Sequence, residues 1–411
     1  MANTGLHGDR SETGQTPIAQ ILYIAHDLDD PAIWRRVAML RRGGANVTLA
    51  GFRRANGPLP EAACVLGHTH NARMARRAWS VLHARFGARL PDAQQYDAII
   101  ARNLETLALA VPLVKRARRK GQHAPRLIYE VLDIHRLMLR DDLFGRALRA
   151  LERGLCRAVD LVLVSSPAFV TRYFEAYHQT NAPMRLVENK VMPAPDTPLF
   201  QERQTREIKG KEITIGWFGI LRCATSLACL DGLTRATPGR YKVVLRGQPA
   251  YDAVPDFDAT VAANPDLSFQ GPYRYPDDLS DIYAEVDFAW LVDRYDEGAN
   301  SDWLLPNRLY ESGLNGVPPI CLAGTEVARM TERLGIGLQM ATASPKAAAQ
   351  MFASLDQTRL ASLRAAQQKI SLSVWRVEPE DCRDLVGAIV SGVTSDTENA
   401  RRFASPAGVT P

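Results

Sequence analysis

The feature that most constrains the fold is an alternation, met twice along the chain, of short apolar runs with longer segments of helical periodicity. Runs of four to eight aliphatic residues bounded by turn formers read as buried strands, and the amphipathic stretches between them read as helices. Residues Ile18 to Ala25 give a first strand, a stretch carrying Trp34, Val37, Met39 and Leu40 a helix, Gly43-Gly44 its stop, and Val47 to Ala50 a second strand. Further strands are expected at Ala98 to Ala101, Arg126 to Glu130 and Leu161 to Val164. Strands separated by helices pair in parallel, so the sheet should be mostly parallel. A second series begins at Ile213 to Gly219 and continues through Tyr241 to Leu245, Leu267 to Phe269, Asp287 to Val292 and Pro318 to Leu322.

Between the two series, residues 193–211 turn rich in Pro, Gln, Lys and Glu, a linker composition. The 411 residues suit two domains. The expected organisation is a disordered N-terminus (1–16), a first Rossmann-like domain (17–195), a linker (196–211), a second Rossmann-like domain (212–372), a closing helix (373–392) and a disordered tail (393–411). Two such sheets whose strand ends face one another would leave a deep cleft for ligands.

Composition excludes several classes. With 46% hydrophobic and 23% charged residues the chain can bury ordinary globular cores. It contains no apolar run of membrane-spanning length, and its first sixteen residues lack the basic-then-apolar order of a signal peptide, so a cytoplasmic protein is expected. The six cysteines stand singly, without the close pairs a zinc or redox site needs, and are read as reduced. No GxGxxG follows either first strand, where Ala25-His26-Asp27 and Gly219-Ile220-Leu221-Arg222 stand instead, and no P-loop is present. Without those backbone cradles a dinucleotide-binding dehydrogenase is not supported.

The segment Asn300 to Ile320 carries the most specific pattern: Arg308, Glu311, Gly316 and Pro318 in order, the first two on one helix. It resembles the donor-site signature of GT-B glycosyltransferases of the large retaining family 4. The resemblance implies an α/β GT-B fold of two doubly wound domains, with Glu311 accepting hydrogen bonds from the ribose hydroxyls of a nucleotide, a task suited to a carboxylate. The family's usual second glutamate, eight residues upstream, is here Trp303, with Asp302 beside it; Asp302 and Asn307 are the candidate substitutes. The turn from Gly216 through Gly219 to Arg222 resembles the family's diphosphate-facing turn, where small residues admit the anion and Arg222 would neutralise it. The family commonly adds a lysine a few residues on, where Thr225 and Ser226 stand here.

Supporting likenesses are Leu245-Arg246-Gly247, Phe269-Gln270-Gly271, the run from Leu279 through Tyr283 to Asp287, Val187-Glu188-Asn189, and Asp30-Pro31 with Arg35 and Arg36. In the first domain, Tyr129 to His135 resembles the family's Tyr-Asp-x-His stretch. That likeness implies donor contact by His135, and positioning or acceptor activation by Asp133, with Glu130 as a reserve base. His26 and Asp27 fall where the family shapes its acceptor pocket, and Asp29 or Asp30 is placed to cap the following helix.

The expected activity is transfer of a sugar from a UDP- or GDP-sugar to a saccharide or lipid-linked saccharide acceptor, with retention and without a metal. The nucleotide sugar is a substrate, and no cofactor is implied. Among family members the chain looks most like bacterial exopolysaccharide transferases of the succinoglycan type. A nucleotide-sugar 2-epimerase of the same fold, and a catalytically inactive sugar- or lipid-binding member, remain as alternatives.

Residues 71–91 contain Arg73, Arg76, Arg77, Arg85 and Arg89 with no acid, and Trp79, Leu82, Phe86 and Leu90 at helical spacing; a second basic cluster occupies 115–120. Such a segment can lie on anionic lipid, so peripheral association with the inner face of the membrane is expected, although the same stripe could face the domain core. No nucleic-acid-binding module is recognised.

Overall fold

The computed structural model describes residues 19–68, 90, 92–121, 123–193 and 212–392. In the first domain β1 (Ala19–Ala25), β2 (Ala45–Arg53), β3 (Cys64–His68), β4 (Ala98–Arg102), β5 (Arg126–Val131), β6 (Leu161–Val164) and β7 (Met184–Leu186) form one sheet in the order β3-β2-β1-β4-β5-β6-β7. In the second, β8 (Ile213–Leu221), β9 (Tyr241–Pro249), β10 (Leu267–Phe269), β11 (Phe288–Trp290), β12 (Pro319–Leu322) and β13 (Leu338–Met340) take the order β10-β9-β8-β11-β12-β13. All strand pairs within both sheets are parallel. The strand order reverses beside β1 and β8, which is where a doubly wound sheet opens a ligand crevice.

The opening helix Pro31–Arg42 shows how locally the chain specifies this. Asp30 caps it, accepting from the Ala32 amide at 2.9 Å, and Pro31 takes the first position, where no amide partner is needed. Asp29 instead ties the end of β2 in place, through Arg53 at 2.7 Å and the amides of Arg54 and Ala55. Ile33, Val37, Met39 and Leu40 bury one face of the helix.

Each sheet is packed on both faces, so each domain has two apolar layers. The closing helix, expected within 373–392, forms as Pro379–Ser391 after a short turn at Leu372–Val374. It packs on the first domain: Cys382, Leu385, Val386, Ala388 and Ile389 join the layer containing Ile21, Tyr23 and Ile100. A Cβ on Gly43 would lie 2.3 Å from the Cys382 carbonyl, so the glycine that stops the first helix also admits the last one. The chain therefore crosses between domains a second time, where Val191 bonds to the Trp375 carbonyl and Val377 bonds back to Val191, both at 2.9 Å.

Candidate active site at the domain cleft

On the second-domain side, the helix Asn307–Leu314 turns Leu309, Tyr310 and Glu311 inward. Glu311 is only 3% exposed, so it is not a solvated residue of an outward helix face. Its Oε2 accepts from Tyr283 Oη at 3.2 Å. Burial raises its pKa, opposed by the Arg35 guanidinium, the Tyr283 bond and Arg308. Arg308 is half-buried, with Nη1 3.4 Å from the Trp290 carbonyl at the end of β11. Asn307 is half-buried in the first turn of the same helix.

Gly219, near the end of β8, has φ +102° and faces Gly247 of β9. A Cβ on Gly247 would lie 2.0 Å from the Gly219 carbonyl oxygen, so the backbones meet with no room for a side chain. Beyond them Arg222 is half-exposed, 3.3 Å from Asp293 and with its guanidinium over the Tyr295 ring at 4.8 Å. The helix Ala224–Ala236 begins just after it. Ser226 is buried, bonding the Val292 carbonyl at 2.8 Å, so Thr225 is the exposed hydroxyl of that first turn.

On the first-domain side, Asp133 and His135 follow the end of β5 and are both exposed. His135 Nδ1 caps the turn Arg136–Leu139, accepting from the Leu137 amide at 3.2 Å. Although Asp133 reaches solvent, surrounding protein raises its pKa by desolvation, opposed by Arg222 from the other domain and by Arg102, and reinforced by Asp30 and Asp296. Glu130 lies elsewhere. It has no exposed surface, and its carboxylate holds Arg36 at 2.6 Å and the Tyr23 hydroxyl, with Arg102 at 3.9 Å. Burial alone would raise its pKa, but the Arg36 and Arg102 charges win and leave it lowered. A sealed, fully ionised carboxylate pinned between cations is a structural anchor; the expectation of a reserve base at Glu130 is corrected on that ground.

Facing switch points, a carboxylate buried beside an arginine on one side and Asp133 with His135 on the other define a GT-B cleft. Over 377 residues the chain is 43% identical to the succinoglycan biosynthesis protein ExoL of Rhizobium meliloti (strain 1021), a match covering 89% of this chain and 92% of that protein. The chain belongs to the ExoL family. No protein-family model matches it. The ExoL-family fold is similar to Anabaena HepE, solved in complex with UDP-glucose (TM-score 0.61, 14% identity, covering 91% of this chain and 100% of that one). It is also similar to WaaG, a glycosyltransferase involved in lipopolysaccharide biosynthesis (TM-score 0.55, 12% identity, covering 89% and 99%).

The ExoL-family chain uses its departure from the donor signature to join the domains. Trp303, 7% exposed, belongs to the apolar layer of the first domain, and its carbonyl accepts from the buried Ser166 hydroxyl. Asn300, in the same short helix Asn300–Trp303, accepts from the Ile134 amide at 3.0 Å and donates to the Ile134 carbonyl at 2.9 Å. Ile134 stands between Asp133 and His135, so this amide clamp fixes both against the second domain. Asp302 accepts from the Gly298 amide at 2.9 Å, which occupies one oxygen in its own loop.

Sequence reasoning placed Arg35 on the opening helix without its role. Its guanidinium lies over the Tyr275 ring at 5.2 Å and within the field of Glu311, so the first domain supplies a cation to the buried carboxylate of the second. A lone arginine on an amphipathic helix gives no signal of that reach. Among the described residues no group of three or more His, Cys, Asp or Glu could hold a metal, and no helix is long and apolar enough to cross a membrane. The basic stretch 71–91 lies outside the described residues except for Leu90, while Lys115, Arg116, Arg118, Arg119 and Lys120 are exposed around the end of the helix Leu104–Arg119.

Proposed function

We propose that this chain transfers a sugar, with retention and without a metal, from a UDP- or GDP-sugar to a saccharide or lipid-linked saccharide during exopolysaccharide assembly. The ExoL relationship and the GT-B fold support glycosyl transfer. The observation that carries the donor assignment is Glu311, a buried carboxylate flanked by Arg308, whose remaining capacity suits a pair of ribose hydroxyls.

Arg222, Arg308, the Gly219 backbone and the start of the helix Ala224–Ala236 then face the diphosphate. Cations and amides aimed at the leaving oxygen stabilise the charge that develops there as the glycosidic bond breaks. Asp302 and Asn307 line the sugar end. Opposite them, His135 contacts the donor and Asp133 positions the acceptor hydroxyl, its raised pKa suiting exchange of a proton nearer neutral pH. Peripheral attachment through 71–91 and 115–120 would keep the enzyme near a lipid-linked acceptor on the cytoplasmic face.

One observation favours an inactive binder instead: Trp303 stands where the family places a sugar-contacting glutamate, and it is spent on domain packing. The test is a thermal-shift panel of nucleoside diphosphates and nucleotide sugars on wild type and Glu311→Ala, followed by nucleotide release with and without saccharide acceptors. Transfer predicts one nucleotide whose shift is lost in Glu311→Ala, and diphosphate release only with acceptor. Conversion of a nucleotide sugar into its C2 epimer without acceptor and without net diphosphate release favours the epimerase; binding with neither epimerisation nor release under any condition favours the inactive reading.

A further inference from the structure

An open cavity of about 360 Å³ lies where the first domain meets the chain that leaves it and returns to it. Its wall is made by Arg35 and Arg36 on the opening helix, Arg102 at the end of β4, and Glu188, Asn189 and Lys190 just before the linker. Four cations thus face the single lining carboxylate, Glu188. That carboxylate is already engaged, accepting from the Tyr310 hydroxyl at 2.9 Å, and burial raises its pKa, opposed by Lys190. Other carboxylates act from behind the wall: Glu130 on Arg36 and Arg102, Asp30 on Arg102 at 3.1 Å, and Asp381 on Lys190 at 3.3 Å. Two of the donors keep capacity to spare. Arg102 is 2% exposed, yet its Nε has no acceptor. Arg35, half-buried, has its guanidinium over the Tyr275 ring and carries no ion pair among the described residues. A buried guanidinium nitrogen without an acceptor is unfavourable unless a ligand supplies one.

The ligand chemistry that fits is a phosphate. Guanidinium forks and an ammonium match its oxygens, whereas a cation would meet like charges and an apolar group would leave the donors unpaired. The cavity is separate from the proposed diphosphate site at Gly219 and Arg222. Tyr310 and Glu311 are successive helix residues, about 100° apart around the axis, so Glu188 and Tyr283 meet different faces of that helix. Leu132, the neighbour of Asp133, also lines the cavity, so a group seated here lies beside the residue that would position the acceptor hydroxyl. We propose that this cavity seats a phosphate carried by the acceptor, held by Arg35, Arg102 and Lys190, so that the acceptor is a phosphate or diphosphate ester of a saccharide. The inference rests on the transfer reading and names the class of its acceptor.

The test is titration calorimetry of the full-length protein with inorganic pyrophosphate, a short-chain alkyl diphosphoglucose and the matching alkyl glucoside, beside the nucleotide thermal-shift panel. Wild type should bind both diphosphates and not the glucoside, the diphosphoglucose more tightly because its sugar adds contacts. Lys190→Gln should weaken diphosphoglucose binding about tenfold or more, the loss expected for one charge-assisted hydrogen bond. Ala32→Glu should abolish it by placing a carboxylate in the cavity from the first helical turn, where a negative charge suits the helix dipole. Neither variant touches Arg222 or Glu311, so a retained nucleotide shift shows that each is folded. Arg222→Gln should do the reverse, losing the nucleotide shift and keeping the diphosphoglucose. No wild-type binding of the diphosphoglucose, or binding lost in Arg222→Gln but kept in Lys190→Gln and Ala32→Glu, overturns the proposal. Pyrophosphate bound as tightly as the diphosphoglucose marks a site for free phosphate and overturns the acceptor assignment. Absence of any nucleotide shift in wild type, with the expected diphosphoglucose pattern intact, would count against the transfer reading and for the phosphate site.

Discussion

Replacing Glu130 by Gln separates anchoring from catalysis at a residue the sequence offered as a base. The carboxylate sits at 0% exposure between Arg36, at 7%, and Arg102, at 2%. Gln keeps the shape and some hydrogen bonding but leaves two buried guanidiniums without their shared counter-charge; Asp30, at 3.1 Å from Arg102, compensates in part. Breaking a buried ion pair from one side costs about 3–5 kcal/mol. For a domain of this size each kcal/mol moves the midpoint about 2–4 °C, so a fall of about 6–20 °C is expected in the first-domain transition. Because the Glu130 pKa is lowered on folding, its stabilisation is complete above the unfolded carboxylate range and is lost as pH falls through the lower folded value. The gap between wild type and variant should therefore narrow in acid. Calorimetry from pH 3 to 8, with transfer rates measured well below the variant's midpoint, checks this. An unchanged midpoint with lost activity would refute the anchoring argument and restore Glu130 as a proton carrier.

Four further outcomes follow from particular contacts. Burial raises the Glu311 pKa, so the apo fold loses stability as pH rises above the unfolded carboxylate value; Glu311→Gln should raise the apo melting temperature at pH 8 while weakening nucleotide binding, and calorimetry with and without nucleotide reads both. Wild-type affinity for nucleotide should in turn fall as pH drops through the raised value, which titration calorimetry between pH 5 and 8 would show. Gly247→Ala places a Cβ 2.0 Å from the Gly219 oxygen at φ +122°, so the donor domain should lose more than about 3 kcal/mol and its nucleotide shift, as followed by urea unfolding. Asn300→Ala leaves the Ile134 amide and carbonyl unpaired, at about 1–3 kcal/mol per buried group; small-angle scattering should show a more open molecule, and transfer should lose kcat more than KM.

How legible all this was depended on whether the signal was local. Long apolar runs announced β1, β6 and β8, because a strand buried on both faces needs continuous aliphatic sequence. The edge strands β3, with no fully buried residue, and β7 and β13, three residues each, carry no such run and went unmarked. The Asp30 cap and the Gly43 stop were readable for the same reason, since each acts within a few residues. The return of the closing helix to the first domain was not, because helical periodicity states that a face is buried and not against what.

At the site, local signals separated two carboxylates only in part. Glu311 and Glu130 each follow a recognisable pattern, yet one is buried beside Tyr283 and Arg308 and the other beneath the sheet's end among cations supplied from 28 to 94 residues away in sequence. The difference lies in Arg36, Arg102 and Tyr23, contacts no spacing rule predicts. Trp303 makes the converse point. Read as a missing glutamate it subtracts from the proposed donor site, whereas its burial in the first domain, with Asn300 clamping Ile134 beside it, adds a link between the two domains. If that link replaces the sugar-contacting carboxylate, the donor sugar must be held by groups the two domains bring together, and Asp133, His135 and Arg222 become dependent on closure. Trp303→Glu, which restores the family pattern, should then cost activity and not improve it, because it buries an unpaired charge in the first-domain core. A gain in transfer rate in that variant would place the residue in the sugar pocket and refute the argument.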